Sequence, residues 1–244
     1  MICGMRTAFL LGGALALFGG IGAATAQPPA PEGEIYAAHG TEPFWGLTFE
    51  DGKMIWTGME EERIEVARPR PVASRGGVHV YRTPRMTVEI SHEGRCNDGM
   101  SDFEYPDTVR VRFPGAGRGR PLEGCGGGVL PPVTLADSGW AIVEIDGTQV
   151  GGEDYALQFD GAGRLSGRAG CNRFSGPYVQ RGRTLTPGAI AATRMACPGD
   201  RMTHETKMLG LLRGPVQINY RSGLIMTLRG THEGSDVYVT LRRL

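Results

Sequence analysis

The stretch that decides the fold of the C-terminal half is YALQFDGAGRLSGRAGCNRFSGPYV, residues 155–179. Its large apolar side chains occupy alternate positions on either side of a glycine-containing turn: Tyr155, Leu157, Phe159 and Leu165. Alternation with a period of two is typical of a β-strand with one buried face, and a turn between two such runs is typical of an antiparallel hairpin. The stretch therefore predicts paired strands, and it leaves open what Cys171 does between a glycine and an asparagine.

The same alternation appears in the N-terminal half. FWGLTFEDGKMIWTG, residues 44–58, alternates, turns at Asp51-Gly52 and resumes. Asp-Gly between two such runs indicates a hairpin, because glycine tolerates the positive φ that the turn requires. Three further short segments have a strand pattern: residues 77–83, 86–91 and 107–113. No helical period of useful length appears, so residues 34–126 are predicted to form a small antiparallel β domain.

The C-terminal half is predicted to be a second β-rich module with one helix, over residues 135–244. Apolar spacing of three and four predicts that helix between residues 199 and 213, at Met202, Glu205, Met208, Leu209 and Leu212. Asp200 is the expected N-cap, and Gly214-Pro215 ends the pattern. The fold class is therefore mainly β or α+β, with two small antiparallel modules and a helix packed on the C-terminal sheet. Residues 127–134, rich in glycine and proline, are read as a linker.

Residues 1–26 have the pattern of a secretory signal peptide. Arg6 precedes an apolar run of 15 residues, and Ala24-Thr25-Ala26 forms a cleavage site, so cleavage is expected between Ala26 and Gln27. The alternative is an uncleaved membrane anchor, but the run is short of the roughly 20 residues that span a bilayer. Cys3 precedes the run, which argues against lipid attachment. The sequence predicts a periplasmic or secreted protein with no membrane span in the mature chain.

The overall charge of the chain does not indicate nucleic acid binding, but one local basic run leaves anionic ligands open. Without Arg6 the mature chain has 25 basic and 26 acidic residues, so nothing in its overall charge indicates nucleic acid binding. One local run has four basic residues and no acidic one: Arg110, Arg112, Arg118 and Arg120. It could contact an anionic glycan or lipid head group, or it could simply be a solvated strand face. The expected partner is an unidentified envelope protein or a glycan or lipid ligand.

Cleavage of the signal peptide leaves four cysteines: Cys96, Cys125, Cys171 and Cys197. An even number in an exported chain favours disulfides, and the sequence alone allows three pairings. The domain division selects Cys96–Cys125 and Cys171–Cys197, because the other pairings would cross the linker. A catalytic cysteine would need a base that the sequence does not identify, and a zinc site would show paired Cys-x-x-Cys spacing.

The sequence contains no recognisable catalytic or metal-binding motif. HETKM at residues 204–208 lacks the second histidine of a zinc protease, and no phosphate-binding loop is present. The five histidines share no metal spacing, so no metal or cofactor is expected: His39, His79, His92, His204 and His232. The acidic stretch CNDGMSDFEYPD, residues 96–107, does not match a calcium loop. A cryptic hydrolase using Asp98 and Asp102 remains the least favoured alternative.

Two blocks of the C-terminal half also resemble a known family. LSGRAGCNRFSGPY, residues 165–178, and LTPGAIAATRMACPGDRMTHETKMLGLL, residues 185–212, are similar to the META domain of the bacterial heat-shock protein HslJ family. The matching positions include Gly170, Cys171, Asn172, Gly176, Tyr178, Thr193, Met195, Cys197 and Glu205. Residues 40–45 and 96–102, with Gly124-Cys125, resemble an uncharacterised bacterial envelope domain.

The META resemblance implies a small non-enzymatic domain of the cell envelope, linked to heat shock, antibiotic tolerance and, in some members, secretion or virulence. It supplies no catalytic residue. The sequence therefore predicts an exported non-catalytic protein that acts by binding in a stress response. A secreted inhibitor or ligand-binding module is the alternative.

Overall fold

Antiparallel strands make up most of the structure, a computed structural model that describes residues 35–73, 76–92, 94–115 and 120–244. The strands are Tyr36–Thr41 (β1), Phe44–Glu50 (β2), Lys53–Thr57 (β3), Arg63–Ala67 (β4), Val72–Ala73 (β5), Val78–Arg82 (β6), Thr87–Ser91 (β7), Cys96–Asn97 (β8), Glu104–Tyr105 (β9), Asp107–Arg112 (β10), Leu122–Gly126 (β11), Ser138–Ile145 (β12), Thr148–Gln149 (β13), Tyr155–Phe159 (β14), Arg164–Ala169 (β15), Arg173–Arg181 (β16), Thr184–Pro187 (β17), Ala191–Ala192 (β18), Val216–Tyr220 (β19), Ile225–His232 (β20) and Ser235–Arg243 (β21). The helix is Arg201–Leu211 (α1). The predicted signal peptide and Arg118 lie outside the described residues.

The N-terminal half is a nine-stranded antiparallel half-barrel in the order β4-β3-β2-β1-β11-β10-β7-β6-β5. The predicted hairpin forms β2 and β3, and Asp51 and Gly52 at its turn have φ of 46° and 71°. The apolar positions of its strands share the inner face, where Leu47, Met54 and Val109 are buried. Two-residue strands β8 and β9 form a separate small hairpin.

Trp45 explains why two glycines lie in the central strands of this sheet. Side chains added at Gly40 of β1 and Gly124 of β11 would both collide with the indole ring of Trp45. The indole is 5% exposed, so it covers the backbone of two strands that carry no side chain there. The missing Cβ atoms are therefore a packing requirement of the half-barrel.

The C-terminal half is a closed barrel. Strands β12 to β21 form a ten-stranded antiparallel sheet, and pairing of β12 with β21 closes it. The stretch 155–179 forms β14, β15 and most of β16, as its alternation predicts. Trp140, Leu157 and Leu165 are fully buried in the interior. The predicted fold class, mainly β with one helix in the C-terminal half, is confirmed.

The predicted helix is present, with a slightly different buried face. Asp200 is the N-cap residue, although its side chain makes no capping hydrogen bond. Glu205, Met208 and Leu211 are buried, whereas Met202 is 36% exposed. The buried face includes Leu211 in place of Met202, which lies in the first turn of the helix.

The segment between the two sheets is hydrogen-bonded to both of them. Gly127 N donates to Ala37 O of β1, and Leu130 N donates to Glu104 O of β9. On the other side, Gly223 N donates to Val129 O at 2.9 Å. A side chain at Gly223 would overlap the main-chain oxygens of Val129 and Leu130.

Arg243, near the end of β21, adds a second contact between the halves. Its guanidinium lies 4.8 Å from the centre of the Phe103 ring and donates to Asp102 O at 3.3 Å. Within the described part of the chain, no helix is long and apolar enough to cross a membrane.

We expect Gly223→Val to make residues 127–134 more sensitive to proteolysis while both sheets stay folded. The added side chain would push away the main chain of Val129 and Leu130 and break the hydrogen bond that holds the segment. Limited proteolysis with mass spectrometry of the fragments measures this effect. Gly151→Val is the control, because no atom lies within 4 Å of a side chain added there. Equal cleavage rates in both variants would contradict the expectation.

Candidate functional site

The four cysteines of the predicted mature chain lie in two pairs, each within one half. Cys96 of β8 is bonded to Cys125 of β11, with 5.5 Å between their Cα atoms. Cys171, between β15 and β16, is bonded to Cys197 before α1, with 5.9 Å between Cα atoms. These are the pairs that the domain division selects. Cys125 and Cys171 are buried, whereas Cys96 and Cys197 are partly exposed, so each bond joins the interior of its half to the surface.

Asn172 and Glu205 are the centre of a buried hydrogen-bond network in the closed barrel. Asn172 N donates to Glu205 Oε2 at 2.7 Å, and Asn172 Nδ2 donates to Glu205 Oε1 at 3.0 Å. Asn172 Oδ1 accepts from Thr193 Oγ1 and from Met195 N, each at 2.7 Å. Asn172 thereby joins the β15–β16 turn, the segment after β18 and α1.

The remaining matched positions also have structural roles. Gly170 has φ of 121°, and a side chain there would overlap the main chain of Arg201 in α1. Gly176 similarly faces the main chain of Ala189. The Tyr178 ring packs 5.2 Å from that of Phe159, centre to centre. These residues hold the barrel and its helix together.

The acidic stretch folds around the carboxylate of Asp98. Asp98 Oδ1 accepts from Met100 N at 3.0 Å and Ser101 N at 2.9 Å, and Asp98 Oδ2 accepts from His39 Nε2 at 3.2 Å. The side chain of Asp98 is only 9% exposed. Burial raises the pKa of Asp98, but the hydrogen bonds from Met100, Ser101 and His39 outweigh it and hold the pKa at about 2.

This environment suits a structural carboxylate. With a pKa of about 2, Asp98 is ionised at neutral pH and cannot donate a proton there. Ser101 Oγ also bonds Asp98 directly, so the carboxylate lies between the serine and His39. Asp102 contributes its main-chain oxygen to Arg243, and its carboxylate makes no ion pair among the described residues.

Two histidines that share no spacing in the sequence meet at one end of the half-barrel. His92 Nε2 lies 3.0 Å from His79 Nδ1, and His92 Nδ1 lies 2.8 Å from the buried Asp107. Burial, followed by the proximity of His92, lowers the pKa of His79. Sequence reasoning missed this cluster, because it predicted strands at residues 77–83 and 86–91 without assigning the pairing that brings the histidines together. No group of three or more metal-ligating side chains occurs in the described parts of the chain.

The opposite end of the half-barrel contains a cavity of about 500 Å³. The end of β3, the start of β2 and the β10–β11 connection contribute its lining, which includes Phe44, Trp56, Met59, Val111 and Phe113. The Trp56 and Phe113 rings meet edge to face at 4.7 Å. A volume of this size, apolar and concave, is typical of small-molecule sites in proteins.

Exposed apolar side chains surround this cavity. Phe44 is 51% exposed and Met59 is 67% exposed, whereas Trp56 at the base is 5% exposed. A side chain at Gly58 would overlap the six-membered ring of Trp56, so the glycine leaves room for the indole. The cavity also has charged groups, Arg112 and Arg120 on the β10–β11 side and Glu60 and Glu62 after β3.

We expect Asn172→Ala to destabilise the closed barrel by about 2–4 kcal/mol, because it removes the side-chain partner of Glu205, Thr193 and Met195 inside the barrel. Chemical denaturation, followed by the NMR signal of the Trp140 indole N–H, measures the change in the closed barrel separately from Trp45 and Trp56 of the other half. The matched control is Asn219→Ala on β19, where the side chain is exposed. A loss in Asn172→Ala no larger than in the control would show that the network is not a stabilising element.

Asp98→Asn tests the acidic loop. The ordinary pKa of an aspartate is about 3.9, and Asp98 in the folded protein has a pKa of about 2. The stabilising effect of the charge is therefore present above about pH 4 and is lost as pH falls towards 2. We expect Asp98→Asn to lower stability at pH 7 by on the order of 1 kcal/mol, since solvent near the loop screens part of the interaction.

The acid limb of the stability curve should be shallower in Asp98→Asn than in the unmodified protein, as measured by thermal unfolding between pH 2 and pH 7. Asp102→Asn is the control, because that carboxylate has no ion-pair partner in the described residues. An acid limb that Asp98→Asn leaves unchanged would exclude the structural role of this carboxylate.

Comparisons with known proteins bear on the closed barrel. The family model of the META domain matches residues 133–243. No curated protein matches the chain. A solved structure described as the NMR structure of the protein from Burkholderia xenovorans shares 25% identity, with 45% of this chain and 83% of that chain covered and a TM-score of 0.35. The closed barrel, with its Asn172–Glu205 network and its single helix, is thus the part of the chain that the META domain model matches, in the C-terminal half at residues 133–243.

Proposed function

We propose that this protein is exported and acts without catalysis in the cell envelope, by binding a ligand in the cavity of the half-barrel. The observation that carries the proposal is the cavity itself, about 500 Å³ in volume, with Trp56 and Phe113 at its base and Phe44 and Met59 exposed at its rim. Exposed apolar groups around a concave apolar site mark binding surfaces, because they remain costly to hydrate until a ligand covers them.

Two observations support export. Both cysteine pairs lie at disulfide distance, and such bonds persist in oxidising compartments outside the cytosol. The META domain suggests a stress-related or envelope protein. We infer a periplasmic or secreted protein, cut between Ala26 and Gln27, whose role belongs to tolerance of heat or antibiotics.

The chemistry of the cavity favours binding over turnover. Its described lining has no serine, cysteine or histidine, and so offers no nucleophile with an adjacent base. The META domain is not a known catalytic family. Asp98 is the carboxylate that a hydrolase would use, but it already accepts hydrogen bonds from the main chain of its own loop.

Binding of N-phenyl-1-naphthylamine, an uncharged apolar dye that fluoresces in apolar sites, tests the proposal. We expect saturable binding to the purified protein with one dye per chain, weakened about five- to thirtyfold in Phe44→Ala, since burial of an aromatic side chain contributes roughly 1–2 kcal/mol. Fluorescence titration gives the affinity and the stoichiometry.

Val179→Ala is the control, because Val179 is 55% exposed, much like Phe44 at 51%, and lies on β16 of the other sheet. Circular dichroism verifies that both variants are folded. No saturable binding, or an equal loss in both variants, would overturn the cavity as the binding site.

A further inference from the structure

The charges at the mouth of the cavity are arranged by sign. Glu60 and Glu62 follow β3, in the connection to β4, whereas Arg112 ends β10 and Arg120 precedes β11. Strands β2 and β1 separate β3 from β11 in the sheet order. The acids and the arginines therefore face the mouth from two different sides.

These four side chains make no ion pairs within the described chain, although the same sheet pairs other charges. Lys53 Nζ of β3 lies 2.6 Å from Glu65 of β4, and Arg110 Nε of β10 lies 2.9 Å from Glu123 of β11. Arg112, two residues after Arg110 on β10, has no such partner. Four charges without an ion-pair partner, two of each sign, thus lie where the apolar cavity opens, although other side chains of the sheet, such as Arg82 and Glu89, also make no ion pair within the described chain.

From this arrangement we infer that the ligand is a zwitterionic amphiphile, namely a single-chain phospholipid whose head carries a phosphate and an ammonium group. The acyl chain occupies the apolar cavity between Trp56, Phe113 and Phe44. The phosphate is held by Arg112 and Arg120, because guanidinium groups match phosphate oxygens with two parallel hydrogen bonds. The ammonium is held by Glu60 and Glu62 on the other side of the mouth. This inference rests on the proposed function.

Other ligand classes fit the mouth less well. An uncharged apolar ligand would make no ion pair with any of the four exposed charged groups at the mouth. A purely anionic amphiphile would satisfy the arginines but would bring like charge towards Glu60 and Glu62. Only a head with both signs pairs both sides of the mouth, and electrostatic complementarity of this kind determines selectivity more than overall affinity.

Displacement of N-phenyl-1-naphthylamine by two lipids of equal chain length tests the inference. The probes are lysophosphatidylethanolamine, which carries both charges, and lysophosphatidylglycerol, which carries only the negative one, each below the concentration at which it forms micelles. We expect the zwitterionic lipid to bind about three- to tenfold more tightly, as one to two ion pairs at a partly exposed site would give.

Double substitutions of the arginines or of the glutamates then show which head-group charge each side of the mouth binds. Arg112→Gln with Arg120→Gln should weaken both lipids, by about three- to tenfold. Glu60→Gln with Glu62→Gln should weaken the zwitterionic lipid, strengthen the anionic one and so remove the preference. Arg110→Gln with Glu123→Gln is the matched control, because that ion pair lies on the same two strands but outside the cavity.

The outcomes separate this inference from the proposed function. If the dye binds and depends on Phe44, but both lipids displace it equally or neither displaces it, the cavity stands and the head-group assignment is wrong. A preference that survives the Glu60 and Glu62 substitutions also overturns the assignment. If the dye itself does not bind, the proposed function fails first.

Discussion

The hydrogen bonds between Asn172 and Glu205 are the constraint on which the closed barrel depends. A carboxyl group inside a β-barrel loses its contact with water, and only dedicated donors compensate for that loss. Asn172 supplies two of them and uses its own oxygen to fix Thr193 and Met195. One side chain therefore determines where the helix lies, how the β15–β16 turn is shaped and which segment covers the barrel next to the Cys171–Cys197 bond.

The half-barrel differs from the closed barrel because its sheet does not close on itself. Closure of the C-terminal sheet by β12 and β21 lets its interior fill completely with side chains, whereas the N-terminal sheet runs from β4 to β5 without meeting itself. Its inner face is packed in the middle, under Trp45, and is open at the two ends. At one end the histidines and Asp107 form a polar cluster, and at the other the rings of Trp56 and Phe113 line a cavity. The cavity of about 500 Å³ therefore lies in the half with the incomplete sheet.

Local sequence signals were sufficient for several strands and turns and for the helix, but not for β1, β4 and β11. The alternation around Leu157, the Asp51-Gly52 turn and the spacing of Glu205 and Met208 each depend on neighbours within a few residues, so these elements follow from the sequence. The cavity does not, because its lining comes from residues 43–62 and 111–122, which are distant in the chain and meet only when β1 and β11 pair.

The same limit explains the charges and the histidines. Arg112 looks like any residue on a solvated strand face until the connection after β3 is placed across from it. His79 and His92 lack a recognisable spacing because the sheet, and not the chain, brings them to 3.0 Å. The sequence indicates that the acidic stretch is a loop. It does not indicate that the Asp98 carboxylate is hydrogen-bonded within that loop, because one of its partners is His39, 59 residues away.

The order of the cysteines along the chain has a consequence for how the protein can be made. Each bond joins cysteines that are consecutive in sequence, Cys96 with Cys125 and then Cys171 with Cys197. A chain that enters an oxidising compartment from its N-terminus presents the first pair before either member of the second. Oxidation of the cysteines in their order of arrival therefore gives the native bonds directly. The first half can form its bond before the second half arrives, and no isomerase is needed to correct a bond between the two halves.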